Sequence, residues 1–154
     1  MLFLSTYINK VDKKGRVSIP ASFRAALEDK YCSDYGLYVI AYNSFINPCI
    51  EACSENRIQT LHDNIDRLDP YSETRDAFAT TILGGCVPLT VDNEGRVILP
   101  EKLIAYASLE EQACFVGKGE TFEIWNSAIF EEYAARAREL AKKDRLSLQL
   151  VTKG

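Results

Sequence analysis

A ten-residue stretch occurs twice in this chain, at residues 11–20 and again eighty positions later at residues 91–100. The copies read Val-Asp-Lys-Lys-Gly-Arg-Val-Ser-Ile-Pro and Val-Asp-Asn-Glu-Gly-Arg-Val-Ile-Leu-Pro, and six of the ten positions are identical. Because two unrelated windows of this length share about one residue or none, the match indicates an internal duplication. We therefore expect a fold built from two similar halves.

Each copy predicts a strand, a tight turn, a second strand and the start of a helix. Asp12 and Asp92 suit the turns because their carboxylates can accept hydrogen bonds from backbone N–H groups two or more residues further on. Gly15 and Gly95 suit them because glycine tolerates the positive φ that such turns often need. The proline that closes each copy stands where a helix would begin, the one helical position that tolerates a missing N–H. These two Asp residues and two Gly residues are assigned to the structure of the turns.

The rest of the chain fits the same two-part plan. Each predicted helix is followed by a pair of strands, and Ser54 and Asn126 are candidate N-caps for helices that follow those strands. Halves of about 45 residues are too small to bury a good core alone, so we expect them to pair into one barrel. The predicted organisation is a first half at 6–54, a helical linker at 55–82, a second half at 83–126, and a C-terminal helix and tail at 127–154.

Charge is distributed unevenly on a local scale. The chain is acidic, with 18 Lys and Arg against 22 Asp and Glu. Between residues 10 and 24, however, five basic residues accompany a single acid, which makes this the only strongly positive stretch. An acidic protein with one basic loop binds DNA well only if several copies act together, because phosphate contacts add up. The five basic residues are Lys10, Lys13, Lys14, Arg16 and Arg24.

The two turns differ at their tips. The first has Lys13 and Lys14 where the second has Asn93 and Glu94. The first turn is therefore the expected phosphate contact. The Asp and Arg of each turn, four positions apart, could also simply pair with one another, and such exposed pairs stabilise a protein little. For Arg96, a structural role and a DNA contact remain equally open.

Taken together, these features resemble the MraZ family of bacterial regulators, in which two Asp-x-x-x-Arg turns each lie in a SpoVT/AbrB-like half. The turns here are residues 12–16 and 92–96, and the resemblance extends from Phe3-Leu4-Ser5 through Phe122-Glu-Ile-Trp125 to the helix beyond. It implies an α+β fold, a duplicated swapped-hairpin β-barrel of the double-psi type with flanking helices. It also implies a ring-shaped homo-oligomer that binds double-stranded DNA.

The resemblance further implies a transcriptional regulator of its own division and cell-wall gene cluster, located in the cytoplasm at the nucleoid. A ring would engage direct repeats in the promoter through its basic turns. The candidate DNA-binding residues under this interpretation are Lys10, Lys13, Lys14, Arg16, Arg24 and Arg96.

Two other classes of function were weighed. An antitoxin-like or scaffold module that binds another protein is an alternative, because related swapped-hairpin halves in MazE-type proteins pair DNA binding with a protein partner. An enzyme is not expected, since no nucleophile, base and metal set is clustered in the sequence. His62 is the only histidine, and Cys49 and Cys53 lie too far from a histidine partner to suggest zinc. No catalytic residue, metal, cofactor or membrane segment is predicted.

Overall fold

The computed structural model describes residues 1–29 and 36–148. Within these ranges the chain forms eight strands and five α-helices, so the expected mixture of helices and strands is confirmed. Of the predicted C-terminal tail, residues 149–154 lie outside the described part. The strands are β1 Thr6–Lys10, β2 Arg16–Ser18, β3 Tyr38–Asn43, β4 Ile50–Cys53, β5 Val87–Thr90, β6 Arg96–Ile98, β7 Gln112–Gly117 and β8 Phe122–Trp125. The α-helices are α1 Ala21–Asp29, α2 Glu55–Asp66, α3 Glu73–Phe78, α4 Glu101–Tyr106 and α5 Ser127–Lys143.

Strand pairing interleaves the two halves of the chain. Six strands form one antiparallel sheet in the order β1-β7-β8-β4-β3-β5, and β2 pairs with β6 in a separate two-stranded ribbon. In the six-stranded sheet β1, β3 and β4 are equivalent to β5, β7 and β8 of the other half. If each strand is replaced by its equivalent, the same strand order results, read from the opposite edge. The first strand of each half pairs with the third strand of the other, since β1 lies against β7 and β5 against β3. Neither half can therefore complete its sheet without the other.

The six-stranded sheet does not close on itself. In the described residues β1 and β5 remain its edges, and a single bridge between Val11 and Val17 links β1 to the ribbon. The two ribbon strands are only three residues long, and they pair with each other rather than with the six-stranded sheet. The expected closed barrel is therefore not observed in the pattern of strand pairing.

The core lies between the sheet and the ribbon and draws on both halves. Phe23 of α1 contacts Phe3 and Phe122, with ring centroids 5.5 and 5.0 Å away. Val17 and Val97, at the middle of β2 and β6, point inward and are each 1% exposed. Burying side chains of this size stabilises the fold by about 1.5–3 kcal/mol each, which fixes the ribbon against the sheet.

In each half, one helix begins directly after the fourth strand: α2 follows β4, and α5 follows β8. The Ser54 hydroxyl accepts a hydrogen bond from the backbone of the third residue of α2, and the Asn126 carboxamide does the same for α5. Helix α3 is followed by a π-helical turn over Ala79–Leu83, which packs back onto α2.

Candidate nucleic-acid interface

The first turn, residues 12–16, is organised by one carboxylate. Asp12 Oδ1 accepts hydrogen bonds from the backbone N–H groups of Lys14 and Arg16, both at 2.9 Å. Asp12 Oδ2 lies 2.7 Å from Arg16 Nε, and the backbone N–H of Asp12 donates to the Arg16 carbonyl at 3.0 Å. Gly15 adopts φ of +81°, in the left-handed region. The turn is thus determined by residues within five positions of one another.

The second turn, residues 92–96, repeats this geometry. Asp92 Oδ1 accepts from the backbone N–H groups of Glu94 at 2.8 Å and Arg96 at 2.9 Å, and Gly95 has φ of +79°. Asp92 Oδ2 lies 3.2 Å from Arg96 Nε, half an ångström further than its counterpart in the first turn. The duplicated sequence therefore produces a duplicated structure.

Hydrogen bonds from backbone N–H groups of the turns lower the pKa of both aspartates. The backbone N–H of Arg16 holds the pKa of Asp12 below its ordinary value of 3.8, and the backbone N–H of Arg96 does the same to the pKa of Asp92. Because the folded pKa is the lower one, each carboxylate contributes stability that is present above the unfolded pKa and is lost as pH falls through the folded value. Both turns are consequently intact at neutral pH.

Each turn is also tied to the other half. The backbone N–H of Leu99 donates to the Gly15 carbonyl at 2.8 Å, and the N–H of Ile19 donates to the Gly95 carbonyl at 2.9 Å. These reciprocal bonds lie just beyond the ribbon and place one turn at each of its ends. A change in either turn is therefore transmitted to the ribbon.

Replacing Gly15 with alanine is expected to destabilise the protein by about 1–3 kcal/mol, because an L side chain is strained at this φ. The new methyl carbon would also lie 2.9 Å from the Leu99 backbone oxygen. Gly119 is the matched control, since it has φ of +90° and nothing within 4 Å of a methyl group built there. Urea unfolding should show a greater loss of unfolding free energy for Gly15→Ala than for Gly119→Ala. Equal losses would mean that the close approach of the new methyl group to the Leu99 oxygen does not destabilise the protein.

The ribbon presents two arginines on its outer face. Arg16 pairs with Ile98 and Ser18 pairs with Arg96 across β2 and β6, while the valines between them face the core. Arg16 and Arg96 are therefore diagonal neighbours, a relation that places residues about 7–8 Å apart. Ser18 and Ile98 also lie on this face, and the sequence alone did not indicate them because only the pairing of distant strands puts them there.

The two arginines differ in how many of their nitrogens are occupied. Arg96 Nη2 lies 3.3 Å from a Glu94 carboxylate oxygen in addition to the Asp92 contact. Arg16 is held through Nε alone, so its two terminal nitrogens have no partner in the described part of the chain. Both side chains are about one-third exposed. The fork of Arg16 is thus available for a ligand, whereas that of Arg96 is partly neutralised.

The remaining candidate cations lie at different places around the ribbon. Lys13 and Lys14 are exposed at the tip of the first turn. Lys10 is exposed on β1, which is tied to the ribbon by a hydrogen bond from the Asn9 amide to the Ser18 carbonyl at 2.7 Å.

Arg24, the last member of the basic stretch at residues 10–24, lies beside the second turn. A methyl group built on Gly95 would lie 1.8 Å from Arg24 Nη1, so this side chain lies against the second turn. The equivalent residue of the other half, Ile104, covers Gly15. Arg24 lines a polar hollow with Asp92 and Glu94, yet its side chain makes no hydrogen bond or ion pair with any residue that the structure describes. The second turn thus gains a cation that its own sequence lacks.

Other features of the described residues bear on metal binding, membrane insertion and thiol chemistry. Residues 1–29 and 36–148 contain no cluster of three or more His, Cys, Asp or Glu side chains arranged to hold a metal ion. No helix in these ranges is both long enough and apolar enough to span a membrane. The thiols of Cys49 and Cys53 are buried, and burial raises the pKa of each, to about 12 for Cys53.

Comparison with known proteins gives a consistent result. A family model described as "MraZ protein, putative antitoxin-like" matches residues 2–43 and 82–150. A protein of Rickettsia felis named transcriptional regulator MraZ is 52% identical over 148 residues, covering 96% of this chain and 97% of the relative. Proteins of the same name from Rickettsia canadensis and Rickettsia typhi are each 51% identical, with 96–97% of this chain and 97–98% of the relatives covered.

Proposed function

Because this chain belongs to the MraZ family, we propose that it is a transcriptional regulator that binds double-stranded DNA through its ribbon and the two turns. The Rickettsia relatives are named as transcriptional regulators rather than as enzymes. Neither catalysis nor a cofactor forms part of the proposed function. The protein would act in the cytoplasm, associated with the nucleoid.

One observation supports this proposal above the others: the unoccupied guanidinium fork of Arg16 lies on the outer face of a two-stranded ribbon. A major groove admits a two-stranded β-ribbon, and a guanidinium fork can bond a phosphate or the edge of a guanine. Lys13 and Lys14 beside it are exposed and would neutralise phosphates. Lys10, Arg24 and Arg96 are proposed as flanking contacts, with Arg96 the weakest because Glu94 already engages it.

Substituting Arg16 with alanine tests the proposal. We expect DNA binding to weaken by about 1–3 kcal/mol per subunit engaged, because a bidentate contact is lost. Since the Arg16–Asp12 pair is partly exposed, the thermal melt should change little. Gel shifts with DNA from upstream of the chain's own gene would measure the first effect and circular dichroism the second. A melt lowered by several degrees with DNA affinity intact would assign Arg16 to the structure of the turn instead.

Arg96→Ala is the matched variant, because it removes the same side chain from the equivalent position. We expect a smaller loss of DNA affinity than for Arg16→Ala, since Glu94 already pairs with this guanidinium at 3.3 Å. Equal losses would refute the proposed difference between the turns.

The finer architecture is also proposed. The exchange of first strands between the halves, together with the Val11–Val17 bridge, supports a swapped-hairpin arrangement in which the ribbon covers the open side of the sheet as in a barrel. One subunit offers only a few cations in an acidic chain. We therefore propose a ring-shaped homo-oligomer that presents several ribbons to direct repeats in the promoter of its own division and cell-wall genes.

A further inference from the structure

Helices α2 and α5 are equivalents in the duplicated fold, but their apolar faces are covered to different extents. Their apolar positions correspond at a constant separation of 72 residues, and both helices follow the fourth strand of their half. The matched positions are Ile58 and Phe130, Leu61 and Tyr133, Ile65 and Ala137, and Leu68 and Leu140. A comparison of what covers each member of these pairs shows where the second half is incomplete.

The apolar stripe of α2 is buried or half-buried at every position within the chain. Ile65 is 6% exposed and clusters with Tyr42 of the sheet and Ile82 of the π-helical turn. Phe78 of α3 packs against the same cluster. This cover comes from α3 and the π-helical turn, for which the second half has no counterpart among the described residues.

The stripe of α5 is covered only over its first turns. Tyr133 stacks on Trp125 with ring centroids 4.7 Å apart, and Phe130 contacts the same indole. Beyond them every residue from 138 to 148 is exposed. Leu140 is 58% exposed, and Leu146 and Leu148, which follow α5, are 74% and 84% exposed. This helix end, residues 138–148, is an apolar and basic segment with no cover in the described part of its own chain.

A groove of matching character lies over α2 and α3. It has a volume of about 330 Å³, and the loop between β3 and β4 contributes Phe45 and Ile46 to its wall. Ile46 is 74% exposed, so the mouth of the groove is itself apolar. Leu61, Leu68 and Phe78 continue the lining. An amphipathic helix commonly docks into a groove of this kind through apolar anchors spaced one or two turns apart.

The charges around the two surfaces are complementary. Residues 55–78, which form the helical side of the groove, contain six acids and three bases, whereas residues 134–148, which include the helix end and the turn of α5 before it, contain five bases and two acids. Such complementarity favours association of the two surfaces and disfavours pairing of either with itself. The acids are Glu55, Asp63, Asp66, Asp69, Glu73 and Asp76, and the bases are Arg136, Arg138, Lys142, Lys143 and Arg145.

We propose that the helix end of one copy docks into the groove over α2 and α3 of a second copy. The inference deepens the proposed oligomer by naming its contact, and it rests on that proposal. Because the helix end and the groove are different surfaces, the contact is head-to-tail, and repetition of it yields a closed ring or an open filament. The groove of each copy then covers the helix end of its neighbour, which has no cover in the described part of its own chain.

Mixing two complementary variants tests the contact. Leu140→Ser with Leu146→Ser and Leu148→Ser disables the helix end, while Ile46→Arg places a cation at the groove that repels the basic segment. All four residues are exposed, so folding should be retained, and circular dichroism would check it. Light scattering should give a mass of 17.3 kDa for either variant alone. An equimolar mixture should form dimers and stop there, because only one intact contact can be made. Leu2→Ser with Leu4→Ser, also exposed, should leave the wild-type mass unchanged.

Several results would overturn the inference. A wild-type oligomer that persists in the helix-end variant would place the contact elsewhere while leaving the proposed ring standing, whereas a monomeric wild-type chain would refute both. Mixtures that restore the full oligomer would exclude a head-to-tail contact of these two surfaces. If Lys142→Glu with Lys143→Glu lowered DNA affinity for a single repeat and left the mass unchanged, the basic residues would face DNA instead of a second copy.

Discussion

Replacing Lys13 and Lys14 with glutamate is expected to abolish specific DNA binding. The two side chains stand exposed at the tip of the first turn, directly beside the available fork of Arg16. Reversal removes two phosphate contacts and adds two repulsive charges in every subunit that meets DNA. Because the electrostatic part of the affinity adds across contacts, the loss should be about a hundredfold or more at moderate salt. Fluorescence anisotropy with promoter DNA would measure it.

The second turn provides the matched controls. Glu94→Gln removes one acid there and should change affinity much less, while Asn93→Lys with Glu94→Lys copies the tip of the first turn and should strengthen binding. Lys102→Glu, an exposed position on α4, controls for charge reversal elsewhere in the chain. If Lys102→Glu weakened binding as much as the change at the first turn, net charge rather than the turn would account for the effect.

Local chemistry was the part of this structure that the sequence predicted best. The carboxylates of Asp12 and Asp92 accept hydrogen bonds from residues two and four positions later, and both turn glycines have positive φ. Every group that forms these turns lies within a five-residue window. The N-caps of α2 and α5 were predictable for the same reason, since a cap depends on one side chain and the first helical turn.

Long-range pairing was beyond the reach of the same reasoning. The exchange of β1 and β5 between the halves depends on which hydrophobic strands meet, and many pairings satisfy the same alternation of residues. A barrel was expected from the small size of the two halves and from the resemblance, whereas the observed strand pairing leaves two sheet edges among the described residues. Arg24 belongs to the basic stretch of the first half in sequence, yet its side chain lies against the second turn.

The ribbon explains why a duplicated chain can keep one half more basic than the other. Both turns share the same carboxylate and glycine geometry because the fold needs a turn at each end of the ribbon. The tips contribute to this geometry through the backbone N–H groups of Lys14 and Glu94, which any side chain leaves in place, so the charge of the tips can differ while the turn keeps its shape. A basic tip at one end and an acidic, Arg24-flanked tip at the other make the ribbon directional. Directional units arranged head-to-tail match direct repeats in DNA better than palindromes.

Affinity is accordingly expected to rise steeply with the number of correctly spaced repeats. Ribbons of neighbouring subunits can enter successive grooves on one side of a duplex, which recur about every 10 base pairs. Binding to one repeat should be weak and binding to three or more tight, because the second and later contacts are made at high effective concentration, a gain of about 10²–10⁴. The slope of affinity against salt should grow with each repeat, since each adds its own phosphate contacts.

Moving one repeat by half a helical turn, about 5 base pairs, gives the sharpest test of this mechanism. The shifted repeat faces the opposite side of the duplex, so a rigid ring cannot reach it and most of the multivalent gain should disappear. A shift of a whole turn keeps the same face and should cost less, which controls for spacing alone. The helix-end variant supplies a protein control, because a monomer should bind one and three repeats with the same affinity per site. Equal affinity of the wild-type protein for one repeat and for three, or indifference to the half-turn shift, would exclude binding through several ribbons at once.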